Sequence, residues 1–104
     1  MARIAFKMMI NEGAEAEYKR RHDQLWPELK ELLKKTGIRD YSIFHDPETN
    51  CLFAYLVIDE ASGLDSLPTV IIMKKWWSHM KDIMKTNEDD SPVSISLKEV
   101  FYLP

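Results

Sequence analysis

Residues 40–59, with the sequence DYSIFHDPETNCLFAYLVID, contain the pattern that decides the fold. Residues 40–46 and 51–59 are rich in aromatic and β-branched side chains, and the loop 46–50 between them places Pro47 at a position that turns favour. The segment therefore predicts a β-hairpin. Its second strand is apolar on both faces, because one set of apolar side chains alternates with another: Phe53, Tyr55 and Val57 with Leu52, Ala54, Leu56 and Ile58.

Before the hairpin, the hydrophobic pattern predicts one strand and then one helical region. Residues 3–10 alternate in the manner of a half-buried strand. From Ala14 to Gly37, apolar side chains recur every three or four residues, which is the period of a helix, and glycine is a common residue just past a helix end. Pro27 interrupts this stripe. Because proline removes a backbone donor and disfavours helical geometry at the residue before it, we expect a kink or a break there.

After the hairpin, a short polar segment with Gly63 and Pro68 leads into a second helical stripe from Met73 to about Met84. Residues 86–92 predict a loop, and residues 93–103 return to a strand pattern. The order strand, helix, strand, strand, helix, strand is that of an α+β protein with a ferredoxin-like βαββαβ fold, a four-stranded antiparallel sheet with helices on one face. With 104 residues, we expect one domain that spans residues 1–104.

Helices on one face leave the other face of such a sheet uncovered. The strand 51–59 is apolar on that face too, and an exposed apolar surface of this kind indicates a protein interface. Two copies that pack sheet to sheet would cover it. We therefore predict a homodimer through the sheet face, arranged as a dimeric α+β barrel.

The composition excludes several classes of protein and partner. Hydrophobic residues make up 45% and charged residues 30%, as in soluble globular proteins, and the net charge of −3 comes without a basic stripe that would bind nucleic acid. The longest apolar run, residues 52–58, is too short to span a membrane, and no signal peptide is recognisable. We expect a cytoplasmic protein with no nucleic-acid or membrane partner. Cys51, the only cysteine, is expected to be a small buried apolar residue.

Tyr18 and His22 form the first candidate site. A spacing of four residues places both on one face of a helix, so an imidazole that titrates near neutral pH lies beside a phenol in an apolar stripe. The alternative interpretation is a buried histidine whose hydrogen bonds serve only the structure. The bend predicted at Pro27 follows within two turns, and its freed backbone groups favour a polar pocket near His22.

Trp76 and Trp77 form the second candidate site. Adjacent residues point about 100° apart around a helix, so the two indoles cannot both face the same core. An indole covers the apolar face of a sugar ring well and its N–H can bond a hydroxyl, which favours a small cyclic ligand. Packing against a partner subunit explains the pair equally well. Tyr41, near the start of the second strand, is either a further pocket residue or a packing residue.

The other histidines and the glycines point to no cofactor. His45 and His79 are expected at the surface or at a rim, and no pair of histidines has a spacing typical of metal ligands. A metal would therefore require scattered residues to converge. With three glycines and no glycine-rich phosphate-binding motif, the sequence also argues against a nucleotide cofactor.

Taken in order, the motifs of the chain resemble those of the L-rhamnose mutarotase family. The matching segments run from the first helix to the last residue: Tyr18-Lys19-Arg20-Arg21-His22, Trp26-Pro27-Glu28, Lys74-Lys75-Trp76-Trp77, Met80, Ser91-Pro92-Val93 and Val100-Phe101-Tyr102-Leu103-Pro104. The resemblance implies a dimeric α+β barrel that interconverts the α and β anomers of L-rhamnose without a cofactor. It also makes His22 the proton donor and places Tyr18, Tyr41, Trp76 and Trp77 around the sugar.

One loop departs from the pattern of the family. Where residues 87–92 read Asn-Glu-Asp-Asp-Ser-Pro, the family more usually has proline after the first asparagine and asparagine in place of Asp90. If this loop borders the pocket, the extra carboxylate of Asp90 is expected to alter contacts with sugar hydroxyls.

Two other functions are compatible with the predicted fold. Dimeric ferredoxin-like barrels also host cofactor-free monooxygenases and lactone isomerases, although this argument is one of fold alone. The third hypothesis is a non-enzymatic sugar-binding module. The polar set of Tyr18, His22 and Tyr41 favours a sugar, and the preference among L-rhamnose and related aldoses depends on which hydroxyls meet which side chains.

Overall fold

A computed structural model describes residues 1–104 of the chain. It contains four strands and three α-helices, and two 3₁₀ helices, Ala61–Thr69 and Lys81–Ile83, flank the last α-helix. The strands are β1 (Ala2–Met9), β2 (Ile38–Asp46), β3 (Cys51–Ile58) and β4 (Ile95–Leu97). The α-helices are α1 (Glu15–Asp23), α2 (Pro27–Lys35) and α3 (Ile71–Met80). None of these helices is long and apolar enough to cross a membrane.

The four strands form one antiparallel sheet in the order β2-β3-β1-β4. This order confirms the predicted ferredoxin-like fold. The predicted last strand is wrong in its length, because β4 pairs with β1 only from Ile95 to Leu97. Residues 98–104 have no neighbouring strand in the chain and are exposed, so a strand-like sequence alone does not make them a strand.

Proline and glycine set the helix boundaries as predicted. The helical stripe is split into α1 and α2, and Trp26 between them has an extended ψ of 133° because Pro27 follows it. Pro27 itself opens α2, where its missing N–H costs nothing. After α2, Gly37 has a φ of 93°, which lets the chain turn into β2.

The core lies between the helices and one face of the sheet. The side chains of Met8, Leu52 and Ala54 face the helices and are buried there against Leu29 of α2 and Met80 of α3. On the opposite face, Phe53 is 39% exposed and Tyr55 is 37% exposed. Within one chain, therefore, this face of β3 is only partly covered.

A β-bulge in β2 changes which side chains face the helices. Arg39 pairs with Val57 and Ser42 pairs with Tyr55, so two residues, Asp40 and Tyr41, lie opposite the single residue Leu56. Asp40 takes the left-handed conformation found in one type of bulge, with a φ of 50°. As a result Tyr41 lies on the helical side of the sheet.

Candidate active site

His22 lies in the last turn of α1, and the main chain of the same helix orients its ring. The imidazole Nδ1 is 3.0 Å from the carbonyl oxygen of Tyr18. Since a carbonyl oxygen can only accept, Nδ1 carries the hydrogen of the neutral ring and donates it. The other nitrogen, Nε2, is left with a free lone pair, which is the atom that accepts a proton.

The surroundings of His22 keep this imidazole neutral. Partial burial lowers its pKa below the usual 6.5, and the hydrogen bond to the Tyr18 carbonyl opposes that shift by favouring the charged ring. At neutral pH the side chain is therefore a base, and the carbonyl stabilises the cation that forms once Nε2 takes a proton.

Two tyrosines lie near this base. The ring of Tyr18 stacks on that of His22 with centroids 4.2 Å apart and an angle of 21° between the planes. Burial raises the pKa of Tyr18 well above its usual value, and repulsion from the neighbouring Tyr41 raises it further. Desolvation by the cavity wall raises the pKa of Tyr41 to about 12, although 38% of this residue is exposed. Both side chains are thus neutral phenols that can donate or accept a hydrogen bond.

The tryptophan pair lies on α3, on another side of His22. The ring of Trp76 meets His22 edge to face, with centroids 5.3 Å apart, and is itself 6% exposed. Trp26 packs on Trp76 in the same manner at 5.1 Å. Trp76 is therefore a core residue, whereas Trp77 is half-buried. The two indoles differ in burial, yet both line one cavity.

The cavity lies between the helices and the sheet and has a volume of about 1050 Å³. All five residues predicted for the site line it: Tyr18, His22, Tyr41, Trp76 and Trp77. The structure thus brings together side chains from α1, β2 and α3 that are up to 59 positions apart in the sequence. The walls combine many apolar side chains with a few polar ones, as small-molecule sites do.

His45 differs from the prediction of a surface or rim position. Its side chain is only 13% exposed, lines the cavity and places Nδ1 3.3 Å from a carboxylate oxygen of Glu15. The reason is the phase of β2, in which His45 lies opposite Leu52 on the helical side of the sheet. His79 is exposed as predicted, and its ring contacts those of Trp26 and Trp76 from outside the cavity.

Several polar residues of the cavity wall were not predicted from the sequence. Ser94 and Ser96 line the cavity from the last strand region, and Asn87 and Ser91 line it from the loop before that strand. The alternation of these serines with Val93, Ile95 and Leu97 is a signal that would have identified the first pair. No comparable pattern marks Asn87.

Asp90 does not line the cavity, although its loop borders it. The carboxylate of Asp90 lies 3.6 Å from the ammonium group of Lys81, and Asp90 is absent from the lining of the cavity. The effect of this carboxylate on sugar hydroxyls therefore stays a prediction, and the position of Asp90 does not support a direct contact. Asp90 has a φ of 70°, a left-handed conformation that asparagine and aspartate tolerate better than most residues.

Arg21, the neighbour of His22, joins α1 to the end of α3. Its guanidinium donates to the main-chain carbonyl of His79 at 2.6 Å and to the carboxylate of Asp82. A further bond at 2.7 Å reaches Glu17 one turn earlier in α1. These contacts hold the helix that carries His22 against the helix that carries Trp76.

No group of three or more histidine, cysteine, aspartate or glutamate side chains is arranged to hold a metal ion. Cys51, at the start of β3, is half-buried and unpaired.

Both the sequence and the structure of the chain match those of L-rhamnose mutarotases. The sequence model for L-rhamnose mutarotase matches residues 3–103. The L-rhamnose mutarotase of Brucella anthropi is 55% identical over 102 residues, which cover 98% of this chain and 96% of that protein. The crystal structure of an L-rhamnose mutarotase from Formosa agariphila superposes with a TM-score of 0.93 at 54% identity and covers 100% of both chains.

A more distant neighbour supports the fold alone. The crystal structure of a dimeric ferredoxin-like protein from an uncultured marine organism covers 97% of this chain with a TM-score of 0.59 and 14% identity.

Proposed function

This chain belongs to the L-rhamnose mutarotase family, and we propose that its single domain, residues 1–104, interconverts the α and β anomers of L-rhamnose with His22 as the proton-transfer residue and without a cofactor. The protein is an isomerase of the anomeric carbon. The observation that supports this mechanism most directly is the geometry of His22, whose Nδ1–H is committed to the Tyr18 carbonyl while Nε2 is free.

The reaction needs one proton removed and one delivered at neighbouring oxygens. Nε2 of the neutral His22 accepts the proton of the anomeric hydroxyl, and the resulting imidazolium gives a proton to the ring oxygen as the bond between that oxygen and the anomeric carbon breaks. The open-chain aldehyde turns about its first carbon–carbon bond. Closure by the reverse transfers then gives the other anomer, and the imidazole returns to its neutral state.

One nitrogen can serve both oxygens in turn. The anomeric hydroxyl and the ring oxygen are bonded to the same carbon, so a small shift of the sugar brings either one to Nε2. The role of proton donor that the family resemblance implies corresponds to the second half of this cycle. General acid and base catalysis of this kind contributes about 10²- to 10⁴-fold in rate.

The other predicted site residues bind and orient the sugar. Tyr18 and Tyr41 stay protonated at neutral pH, so their hydroxyls can donate to sugar oxygens without adding charge. Trp77, which is half-buried, offers a flat apolar face to the ring and to the methyl group that distinguishes a 6-deoxy sugar, and the buried Trp76 adds the small part of its indole that lines the cavity. Such positioning brings the anomeric centre close to Nε2 before the transfer.

We also propose that the protein is a homodimer, in which the open sheet face of one copy covers that of another. The support is the exposure of Phe44, Phe53, Tyr55 and Ile95 on this face. A cytoplasmic location remains a prediction from the sequence, and cell fractionation tests it.

The function is tested by anomer exchange. Freshly dissolved crystalline L-rhamnose is mixed with the protein and followed by optical rotation or by NMR exchange between the anomeric signals. We expect acceleration over buffer by the wild type, and loss of most of it in His22→Ala. His79→Ala is the matched control, because it removes an imidazole that lies outside the cavity. A folded wild type that exchanges the anomers no faster than buffer would refute the proposal, and binding of L-rhamnose without acceleration would indicate a sugar-binding module.

A further inference from the structure

The loop that departs from the family pattern forms a closed hairpin at the edge of the cavity. Thr86 pairs with Pro92, and the N–H of Asn87 donates to the carbonyl of Ser91 at 2.8 Å. The N–H of Asp90 in turn donates to the carbonyl of Asn87 at 3.0 Å. Main-chain hydrogen bonds therefore hold Asn87 at a defined position, with its side chain at the cavity rim.

The hydrogen bonds of the Asn87 side chain fix which way its amide points. Nδ2 donates to the hydroxyl of Ser91 at 3.0 Å and to the carbonyl of Pro92 at 3.4 Å. Because a carbonyl oxygen can only accept, the atom that faces Pro92 must be the nitrogen. Both bonds use the nitrogen, so the carbonyl oxygen Oδ1 keeps its capacity to accept.

The neighbouring hydroxyl offers less to a ligand. Ser91 donates its only hydrogen to the carboxylate of Asp89 and already accepts one hydrogen from Asn87, so the hydroxyl has no donor and only one lone pair left for a ligand. Asp89 does not line the cavity. Among the side chains of this loop that line the cavity, Asn87 is the one with a side-chain polar atom, Oδ1, that has no hydrogen-bond partner within the protein.

We infer that Asn87 is a specificity-determining residue of this site, whose Oδ1 accepts a hydrogen bond from one ring hydroxyl of the bound aldose. The inference rests on the proposed function, because it concerns the sugar that His22 acts on. Asn87 is exposed in the free protein, so water occupies this acceptor until a sugar covers it, and a bound sugar that lacks the matching hydroxyl then leaves Oδ1 unpaired. His22 and the anomeric centre are the same for all aldoses, so selection among them has to come from contacts such as this one.

The test compares Asn87→Leu with the wild type on L-rhamnose and on three analogues, each lacking the hydroxyl at carbon 2, 3 or 4. The leucine keeps the size of the side chain and removes its acceptor. We expect kcat/KM for L-rhamnose to fall by about threefold to tenfold, as for the loss of one neutral hydrogen bond at the rim of a site. One of the analogues lacks the hydroxyl that Asn87 binds. For this analogue we expect kcat/KM of the wild type to be low already, and Asn87→Leu to lower it no further.

Two further variants separate this role from a purely structural one. Asn87→Asp keeps an acceptor at the same place and loses the amide donors, so it should preserve the order of preference among the sugars. Asp89→Asn weakens the hairpin from outside the cavity and should leave that order unchanged. An equal loss on all four sugars in Asn87→Leu, or the same loss in Asp89→Asn, would overturn the inference.

The dissociation constants of the same four sugars, measured by titration, provide a second comparison. They test the contact of Asn87 even if no variant, including the wild type, accelerates anomer exchange. In that case the proposed function fails, while a loss of affinity restricted to sugars that carry one particular hydroxyl still supports the role of Asn87. An equal affinity of wild type and Asn87→Leu for every sugar would reject it.

Discussion

Arg21 holds the carboxylate of Asp82 through two hydrogen bonds of 2.8 and 3.1 Å, and this contact closes the gap between α1 and the end of α3. A guanidinium that meets a carboxylate with two parallel bonds fixes orientation as well as distance. Because His22 follows Arg21 directly and Trp76 lies on α3, the contact also sets how the imidazole and the indole meet.

Replacement of Arg21 should therefore affect both stability and catalysis. In Arg21→Ala we expect the Tm to fall by roughly 5 °C, the shift typical for the loss of one sizeable interaction in a domain of this size. We also expect a lower kcat, because the distance between His22 and Trp76 is no longer fixed. Arg20→Ala is the matched control: Arg20 pairs with the same Glu17 but is exposed and does not reach α3. An equal effect of both variants in thermal unfolding and exchange assays would contradict the prediction.

The acceleration of anomer exchange should depend on pH through His22. The reaction begins with the neutral imidazole, and burial lowers the pKa of His22 below 6.5. The acceleration is therefore expected to be constant around neutral pH and to fall only when the pH drops below that lowered pKa. Exchange rates measured by NMR between pH 4.5 and 8, after subtraction of the buffer rate, provide the profile.

A loss of activity that begins above pH 7 as the pH is lowered would show that the essential group is not a histidine with a lowered pKa.

The stability of the folded protein should also decrease as the pH falls. Since the unfolded chain holds the proton on His22 more tightly than the folded chain does, the free energy of unfolding decreases as the pH falls from 6.5 towards the pKa of the folded state. Denaturant titrations of wild type and His22→Gln over this range isolate that contribution.

A charge on the open sheet face should dissociate the proposed homodimer. Phe53 points away from the helices and would be buried between two copies, so Phe53→Lys places an unpaired ammonium group in the interface. We expect a monomer by light scattering coupled to size exclusion. Ala16→Lys adds the same charge to an exposed position of α1 and should stay dimeric. A monomeric wild type would reject the proposed dimer, and a dimeric Phe53→Lys would place its interface elsewhere.

Gly37 should tolerate a side chain less well than Gly13. Both have a positive φ, 93° and 80° respectively, which costs an L-residue roughly 1–2 kcal/mol. A Cβ at Gly37 would also lie 3.2 Å from the Cβ of Asp59, whereas nothing lies within 4 Å of one at Gly13. We expect Gly37→Ala to lower the free energy of unfolding more than Gly13→Ala does. Equal losses in urea titrations would show that crowding by Asp59 contributes nothing.

Local patterns predicted most of the fold. The period of the hydrophobic residues identified every strand and α-helix, and Pro27 marked the break between α1 and α2, because the chemistry that decides these features lies within a few residues. The length of β4 could not be predicted in the same way. A strand ends where its partner ends, and only Ala5 to Lys7 of β1 pair with it.

The site residues that could be predicted are those that helical spacing or the family resemblance identifies. The spacing of Tyr18 and His22 places them on one face, and their rings do stack. The position of Asn87 depends on a hairpin closed by main-chain hydrogen bonds, which no residue spacing in the loop reveals. The sequence predicts a surface or rim position for His45, because the side of β2 on which it lies depends on the pairing with β3.

The bulge at Asp40 gives β2 one position at which a residue can be deleted without reversing the side chains before or after it. Ile38 and Tyr41 are three residues apart and both line the cavity, which a regular strand would forbid. Loss of Asp40 would bring them to the even spacing of an unbroken strand and leave Tyr41 inside. Deletion of any single residue between Ser42 and Asp46 would instead move the side chains on one side of the deletion from the cavity to the opposite face of the sheet. A deletion scan of β2, read out by anomer exchange, should therefore show one permissive site.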